Sequence, residues 1–199
     1  MKLVLASNNP GKLAELQAMF IPLQWTLVKQ SDLGISEAAE PFFTFVENAL
    51  AKARHACQGS GLPALADDSG LCVDAFGGLP GVDTAFYAVQ FGLLKGDENN
   101  VKALLQQMKN VENRRAALVS TLVAVRTPLD PEPLIAVGRV QGEITQEPKG
   151  LNGFGFDSVM FIPEIGKTFA EMDEKNKNVY SHRGRSVKGM VTLMQQNWL

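Results

Sequence analysis

Five short segments of the chain carry side chains whose type and spacing could act on an anionic substrate. The first is Ser7-Asn8-Asn9-Pro10-Gly11-Lys12, which follows the apolar run Leu3 to Ala6 and precedes apolar residues at Leu13, Leu16 and Phe20. A strand that ends in a small polar turn and a helix start offers backbone N–H groups and the positive end of a helix dipole to an anion. Lys12 adds a full charge one turn in. The segment is not a P-loop, because Gly11-Lys12 is followed by Leu13 and the first glycine of that motif is missing. Taken alone, it reads first as an ordinary capped helix with a solvated lysine.

The second and third segments are acidic. Glu40 precedes Thr44, Asn48 and Lys52, whose four-residue spacing makes one polar helical stripe beside the apolar stripe of Val46, Ala49, Leu50 and Ala53. That stripe is either a solvated face or the lining of a cleft with Glu40 at its mouth. Asp67-Asp68-Ser69-Gly70 lies between Ala64-Leu65-Ala66 and Leu71-Cys72-Val73. Carboxylates in such a place are costly if buried without partners. Neighbours on a strand point to opposite faces, so one of the two aspartates faces a given site. A carboxylate there can hold Mg²⁺ or take a proton from water. The alternative is a plain Asp-Ser-Gly turn, which the tight apolar flanks disfavour.

The fourth segment is Gly153-Phe154-Gly155-Phe156-Asp157, where glycines on either side of Phe154 would let its ring present a face to a flat ligand such as a base. A hairpin bend with core aromatics fits the same residues. The fifth is Lys177 with Ser181-His182-Arg183-Gly184. Ser181 suits an N-cap, and a basic pair in a first helical turn runs against the dipole, which suggests a bound anion or a recognition role. A satisfied structural histidine is the plainer account of His182.

The elements that must position these residues follow from periodicity. Leu3–Ala6 predicts a buried strand, Asn9 and Pro10 a capped helix start, and Trp25–Val28 a second strand. Phe45 to Cys57 predicts a second helix, and Ala64–Val73 a strand interrupted at Asp67–Gly70. Asp97 is expected to cap a third helix carrying Val101, Leu104, Leu105 and Met108. Ala116–Val125 and Leu134–Thr145, separated by Pro128, Pro131 and Pro133, predict a long antiparallel hairpin. Thr168 to Glu171 fits a capping box, and Ser181 begins a last helix with Val187, Met190, Val191 and Met194. Crossover units mixed with hairpins predict an α/β protein with a mixed β-sheet flanked by helices. No linker divides residues 1–199, which predicts a single domain.

Composition bounds the function. With 45% apolar residues and a net charge of -2 in 199 residues, the chain suits an ordinary folded domain and not a protein that binds a duplex backbone. A local group of lysines can still hold a small anion. Cys57 and Cys72, without a CxxC, predict buried thiols and neither a disulfide framework nor a zinc site. The run from Met1 to Ala6 is too short for a signal peptide and no stretch could span a membrane, so a cytoplasmic location is the expectation.

Together the five segments, with Thr44-Phe45-Val46-Glu47-Asn48-Ala49 and Leu79-Pro80-Gly81, resemble the inosine triphosphate pyrophosphatase family from Leu3 to about Met190. The resemblance implies a homodimer with an elongated mixed sheet, two lobes and an active-site cleft between them. It implies Mg²⁺-dependent hydrolysis of ITP, dITP and XTP to the nucleoside monophosphate and pyrophosphate, which cleanses the nucleotide pool. By that pattern Ser7, Asn8, Asn9, Pro10, Gly11 and Lys12 cradle the phosphates with Lys52 and Lys177. Asp68 is the general base, Asp68 and Glu40 lie at Mg²⁺, and Ser69 touches substrate. Phe154, Gly155, Phe156 and Asp157 line the base pocket, and His182 and Arg183 read the base. Arg183 has donors and no acceptor, which suits a 6-oxo purine and not adenine. The chain departs from the pattern at Phe86, where an Arg precedes Tyr in bacterial members, and at Ser158, where a Pro is usual. Rival readings are a pyrophosphatase for other altered or pyrimidine nucleotides, a nucleotide-binding regulator without catalysis, and a nucleic-acid-binding module, which the acidic balance disfavours.

Overall fold

Asn9 and Pro10 start the first helix as the sequence predicts. The Asn9 carbonyl accepts the Leu13 N–H at 3.0 Å and its side-chain oxygen accepts the Lys12 N–H at 3.1 Å. The computed structural model describes residues 2–20 and 25–198, so Met1 of the N-terminal run lies outside it. In chain order the regular elements are β1 (Lys2–Leu5), α1 (Pro10–Phe20), β2 (Thr26–Lys29), α2 (Phe45–Ser60), β3 (Ala64–Val73), α3 (Asp97–Gln107), β4 (Arg115–Val125), β5 (Leu134–Ile144), β6 (Met160–Ile162), β7 (Lys167–Thr168), α4 (Glu174–Tyr180) and α5 (His182–Asn197).

The strands form one mixed sheet in the order β2-β1-β3-β4-β5-β6-β7. β1 is parallel to β2 and β3, whereas β6 is antiparallel to β5 and β7. The Ile144 N–H bonds to the Arg114 carbonyl at 2.9 Å, so the end of β5 meets the start of β4, as the predicted hairpin requires. β5 alternates buried and exposed side chains along its length, and β4 is buried at every position after Arg115.

Local chemistry explains most boundaries. Thr44 caps α2 by accepting the Glu47 N–H, and Gly61 ends that helix in the left-handed region at φ 67°. Two expectations need correction. β3 runs unbroken through Asp67-Asp68-Ser69-Gly70, because tertiary partners satisfy the carboxylates and override their turn preference. The N-cap of α3 is Gly96, with Asp97 already in the first turn. Ser181 precedes α5 as expected, and the segment before it forms the short helix α4. At residues 169–171 a single 3₁₀ turn forms, with Glu171 accepting the Thr168 N–H at 2.8 Å.

The chain divides into two compact units. The first comprises Met1–Asp68, Ser120–Gly138 and His182–Leu199. In it Leu3 and Leu5 pack with Leu13, Leu16, Phe20, Leu122, Val187 and Met190, while Val4 and Ala6 pack with Ala49, Ala53 and Cys57. β1 is therefore covered on both faces, as its unbroken apolar run implies. The second unit comprises Ser69–Val119 and Arg139–Ser181, with a core of Leu71, Leu104, Met108, Val140, Phe156, Met160 and Phe169. Each large side chain so buried stabilises its unit by about 1.5–3 kcal/mol. Cys57 is a buried core thiol as expected; Cys72 is only partly buried.

Candidate active site

The first unit gathers two aspartates, two lysines, an arginine and two glutamates around the middle of β3. Asp67 and Asp68 point to opposite faces of the strand, and the partners differ accordingly. The fully buried Asp67 carboxylate lies 3.1 Å from Lys12 Nζ and 3.4 Å from Arg183 Nη2, and it accepts the Ser120 hydroxyl at 2.6 Å. Burial pushes its carboxyl up, but the Lys12 and Arg183 charges, with the Ser120 and Lys12 hydrogen bonds, hold it well below the usual carboxylate range. Lys12 is thus not the solvated lysine of an ordinary helix start.

Asp68 faces α2. Lys52 Nζ lies 2.9 Å from Asp68 Oδ1 and 2.7 Å from Glu40 Oε2, so one ammonium sits between the two carboxylates expected at the metal. The other oxygen, Asp68 Oδ2, is buried and has no hydrogen-bond partner among the described residues. Burial is the largest influence on Asp68 and its carboxyl is raised; Lys52 and Lys12 oppose this and Glu40 adds to it. Burial alone would lower Lys52, yet the Asp68 and Glu40 charges raise it, so its ammonium form is the stable one.

α5 supplies the basic pair. Arg183 is 2% exposed and is bound by Glu15 as well as Asp67, so the guanidinium expected to read a base is held among carboxylates. The Ser120 and Ser186 hydroxyls lie 2.8 Å apart, and Ser186 donates to the Arg183 carbonyl at 3.0 Å. His182 is also buried, and its carbonyl comes so close to β5 that a Cβ at Gly138 would lie 1.9 Å from it. Only glycine at 138 admits the start of α5 in this place. The 7–12 turn is drawn together locally: Ser7 Oγ accepts the Asn9 N–H at 3.3 Å, and Asn8 accepts from Gln30 at 3.4 Å. Asn8, Asn9 and Pro10 are exposed, with Ser7 and Gly11 partly so.

The second unit holds the remaining expected residues. Asp157, buried, accepts the Phe154 N–H at 2.9 Å and lies 2.6 Å from Lys177 Nζ. Lys177 Nζ stands 4.5 Å from the centre of the Phe154 ring, a cation–π contact. Lys177 is itself 5% exposed, which is low for a lysine without a partner and explained by Asp157. Gly153, at φ 78°, is required twice over, because a Cβ there would lie 2.2 Å from the Asp157 carboxylate. The Gly155 N–H donates to Asp97 at 2.7 Å. Phe156 departs from the expected pocket set: its ring is in the apolar core of this unit, which leaves Phe154 as the aromatic beside Lys177. Ser69 is partly buried on β3. At Phe86, where the resemblance implies an arginine, the ring is half exposed and Lys95 Nζ lies 4.1 Å from its centre.

Four contributors escaped the sequence reading: Glu15, Ser120, Ser186 and Gly138. Glu15 stands three residues after Lys12 on α1, and Ser120 with Thr121 interrupts an otherwise apolar strand; a buried polar residue in such a run is the signal that could have found Ser120.

Comparison with known proteins gives the family of this fold. Residues 3–193 match the model of the Ham1 family. Curated relatives include the dITP/XTP pyrophosphatases of Paracidovorax citrulli, 71% identical over the whole of both chains, and Albidiferax ferrireducens, 69% identical over the whole of both. Among solved structures, a HAM1 protein from Coxiella burnetii superposes with a TM-score of 0.91 at 38% identity, covering 98% of this chain and 99% of that one. The Staphylococcus aureus Ham1 protein gives 0.87 at 32% identity, with the same coverage.

Proposed function

Because this chain belongs to the Ham1 family, we propose that it is a pyrophosphatase for non-standard purine nucleoside triphosphates, dITP and XTP foremost and ITP with them. It releases the nucleoside monophosphate and pyrophosphate and so keeps these bases out of nucleic acid. The observation that carries the site assignment is the pair Glu40 and Asp68, both on Lys52 Nζ, with Asp68 Oδ2 buried and without a hydrogen-bond partner among the described residues.

The donor set suits Mg²⁺. That ion takes oxygen ligands, often one or two carboxylates, and completes its shell with water and substrate phosphates. Two carboxylates, one with a buried oxygen that no hydrogen-bond donor among the described residues reaches, meet that description. Glu40 and Asp68 would hold the ion, and its charge would offset that of the phosphates as the α–β anhydride breaks.

The chain's own residues do the rest. Asp68 accepts the proton of the attacking water, with Lys52 holding its other oxygen in place. Lys52 keeps its proton beside the two carboxylates and offsets charge on the departing pyrophosphate. Lys12, Lys177 and the 7–12 turn bind phosphate oxygens, with Ser69 as a further contact. Phe154 and Asp157 take the base, and the start of α5, His182 and Arg183, discriminates a 6-oxo purine from adenine. Glu15 and Asp67 orient the guanidinium for that task. The protein works as a homodimer in the cytoplasm, and light scattering checks the first of these.

Released pyrophosphate, measured with dITP, XTP, ITP, GTP and ATP with and without Mg²⁺, tests the reading. Turnover of dITP and XTP that needs Mg²⁺, with little on ATP, is the expected result. Equal turnover of ATP would overturn the purine assignment, and full activity in chelator would overturn the metal assignment.

A further inference from the structure

Residues 35–42 form neither helix nor strand, yet they carry Glu40. The Glu40 side chain is 47% exposed, and an exposed ion pair does little to fix a segment of irregular backbone by itself. One stripe of α2 supplies what is missing. Asn48, buried, accepts the Phe42 N–H through Oδ1 at 3.1 Å and donates from Nδ2 to the Phe42 carbonyl at 3.1 Å. Lys52 holds Glu40 itself. The His55 ring N–H donates to the Ser36 carbonyl at 2.9 Å. Gly59 leaves room for Ile35, whose side chain a Cβ there would meet at 3.2 Å. Positions 48, 52, 55 and 59 share one helical face, and the residues they grip descend from 42 to 35. The segment therefore runs antiparallel to α2 and is held rung by rung.

Asn48 is the rung that grips backbone with a donor and an acceptor at once. A carboxamide offers one acceptor and one donor in the geometry of a peptide group, and here both go to a single residue's backbone. Aspartate lacks the donor, and leucine lacks both. The Asn48 side chain makes no contact with Lys52, Asp68 or the 7–12 turn among the hydrogen bonds described, so its influence on the site runs through the Phe42 backbone.

We propose that Asn48 is a positioning residue for metal binding: by clamping Phe42, two residues beyond Glu40, it keeps the Glu40 carboxylate beside Asp68 before any ion arrives. This rests on the reading of Glu40 and Asp68 as the metal pair. A group that orients a metal's direct ligand typically changes affinity by about 10–100-fold when removed.

Mn²⁺ titrated into the nucleotide-free protein, with unbound Mn²⁺ read by electron paramagnetic resonance, measures the site without turnover. Glu40→Gln and Asn48→Leu should each weaken Mn²⁺ about tenfold or more, and Asn48→Asp, which retains the acceptor, should weaken it less. Combining Glu40→Gln with Asn48→Leu should add little to either alone, because both act through one carboxylate. The Mg²⁺ concentration for half-maximal turnover should rise in Asn48→Leu while kcat at saturating Mg²⁺ stays near that of the wild type. If Asn48→Leu does not fold, Asn48→Asp and His55→Ala, at the partly exposed rung, carry the same test with smaller losses. Wild-type Mn²⁺ affinity in the Asn48 variants, or a full further loss on top of Glu40→Gln, overturns the proposal. If Glu40→Gln itself leaves Mn²⁺ binding unchanged, the metal pair is wrong and the proposal falls with it; if only the Asn48 variants are silent, the proposal alone falls.

Discussion

On one face of β3 the Asp67 carboxylate is shared among Lys12, Arg183 and the Ser120 hydroxyl, and it is held far below its ordinary range. On the other face Asp68 has Lys52 on one oxygen, no hydrogen-bond partner on the other among the described residues, and a carboxyl raised by burial. The two residues are chemically identical neighbours, and the surroundings assign them different work. A carboxylate engaged by cations on one oxygen and a hydroxyl on the other is a poor base and a good anchor. One with a raised proton affinity and an open oxygen is ready to take a proton or meet an ion. The contrast separates what holds this unit together from what acts in it.

The strongest test of the contrast is stability. Asp67→Ala takes the carboxylate from the largely enclosed Lys12 and removes a carboxylate from the buried Arg183. Breaking a buried pair from one side costs about 3–5 kcal/mol, so denaturant unfolding should show a loss of that order at pH 7. Because the folded carboxyl is depressed, its stabilising contribution is complete above the unfolded value of about 3.9 and is lost as pH falls toward the folded value. The gap between wild type and Asp67→Ala should therefore narrow steadily below about pH 4. A gap that does not change with pH would mean that the ion pairs contribute nothing.

Asp68→Asn should behave oppositely. Turnover on dITP should fall on the order of a hundredfold or more if Asp68 is the base. Stability at pH 7 should hold or rise, since an ionised group whose folded pKa is raised costs the folded state at pH values above that range. Near-normal turnover, or a loss of stability matching that of Asp67→Ala, would erase the distinction between the two faces. Ser120→Ala comes next. It removes a neutral donor to Asp67, and a hydrogen bond to a charged, buried group contributes about 1.5–3 kcal/mol. The loss should appear in the unfolding midpoint with kcat little changed.

The contrast was half legible in the sequence. Strand periodicity alone says that Asp67 and Asp68 face opposite ways, and the apolar flanks say that both are enclosed. Which aspartate is the anchor depends on Ser120, Glu15 and Arg183, brought to β3 by β4, α1 and α5, and no local pattern ties those positions to Asp67. The same limit hid Asp157 as the partner of Lys177: each lies in its own segment, and only the fold brings them within 2.6 Å. Regular elements were easier, since caps and apolar periods are local. The break expected within β3 was the costly error, because Asp-Asp-Ser-Gly has turn chemistry that the tertiary ion pairs override. Phe156 differs from the expectation for a related reason: it shares Gly155 with Phe154, and burial alone tells the core ring from the partly exposed one.

The smallest effect sharpens the contrast furthest. Glu40 is about half exposed and its only ion pair among the described residues is with Lys52, which keeps Asp68 when Glu40 is neutralised. A pair of that kind contributes about 0–1 kcal/mol, so Glu40→Gln should leave the thermal midpoint nearly unmoved. If Glu40 serves an ion, the same substitution should raise the Mg²⁺ needed for half-maximal turnover although the fold has lost almost nothing. Stability and activity would then be uncoupled at Glu40 and Asp68 and joined at Asp67. Should Glu40→Gln instead destabilise the protein as much as Ser120→Ala, Glu40 belongs with the anchors, and the face of β3 that carries Asp68 would be as structural as its opposite.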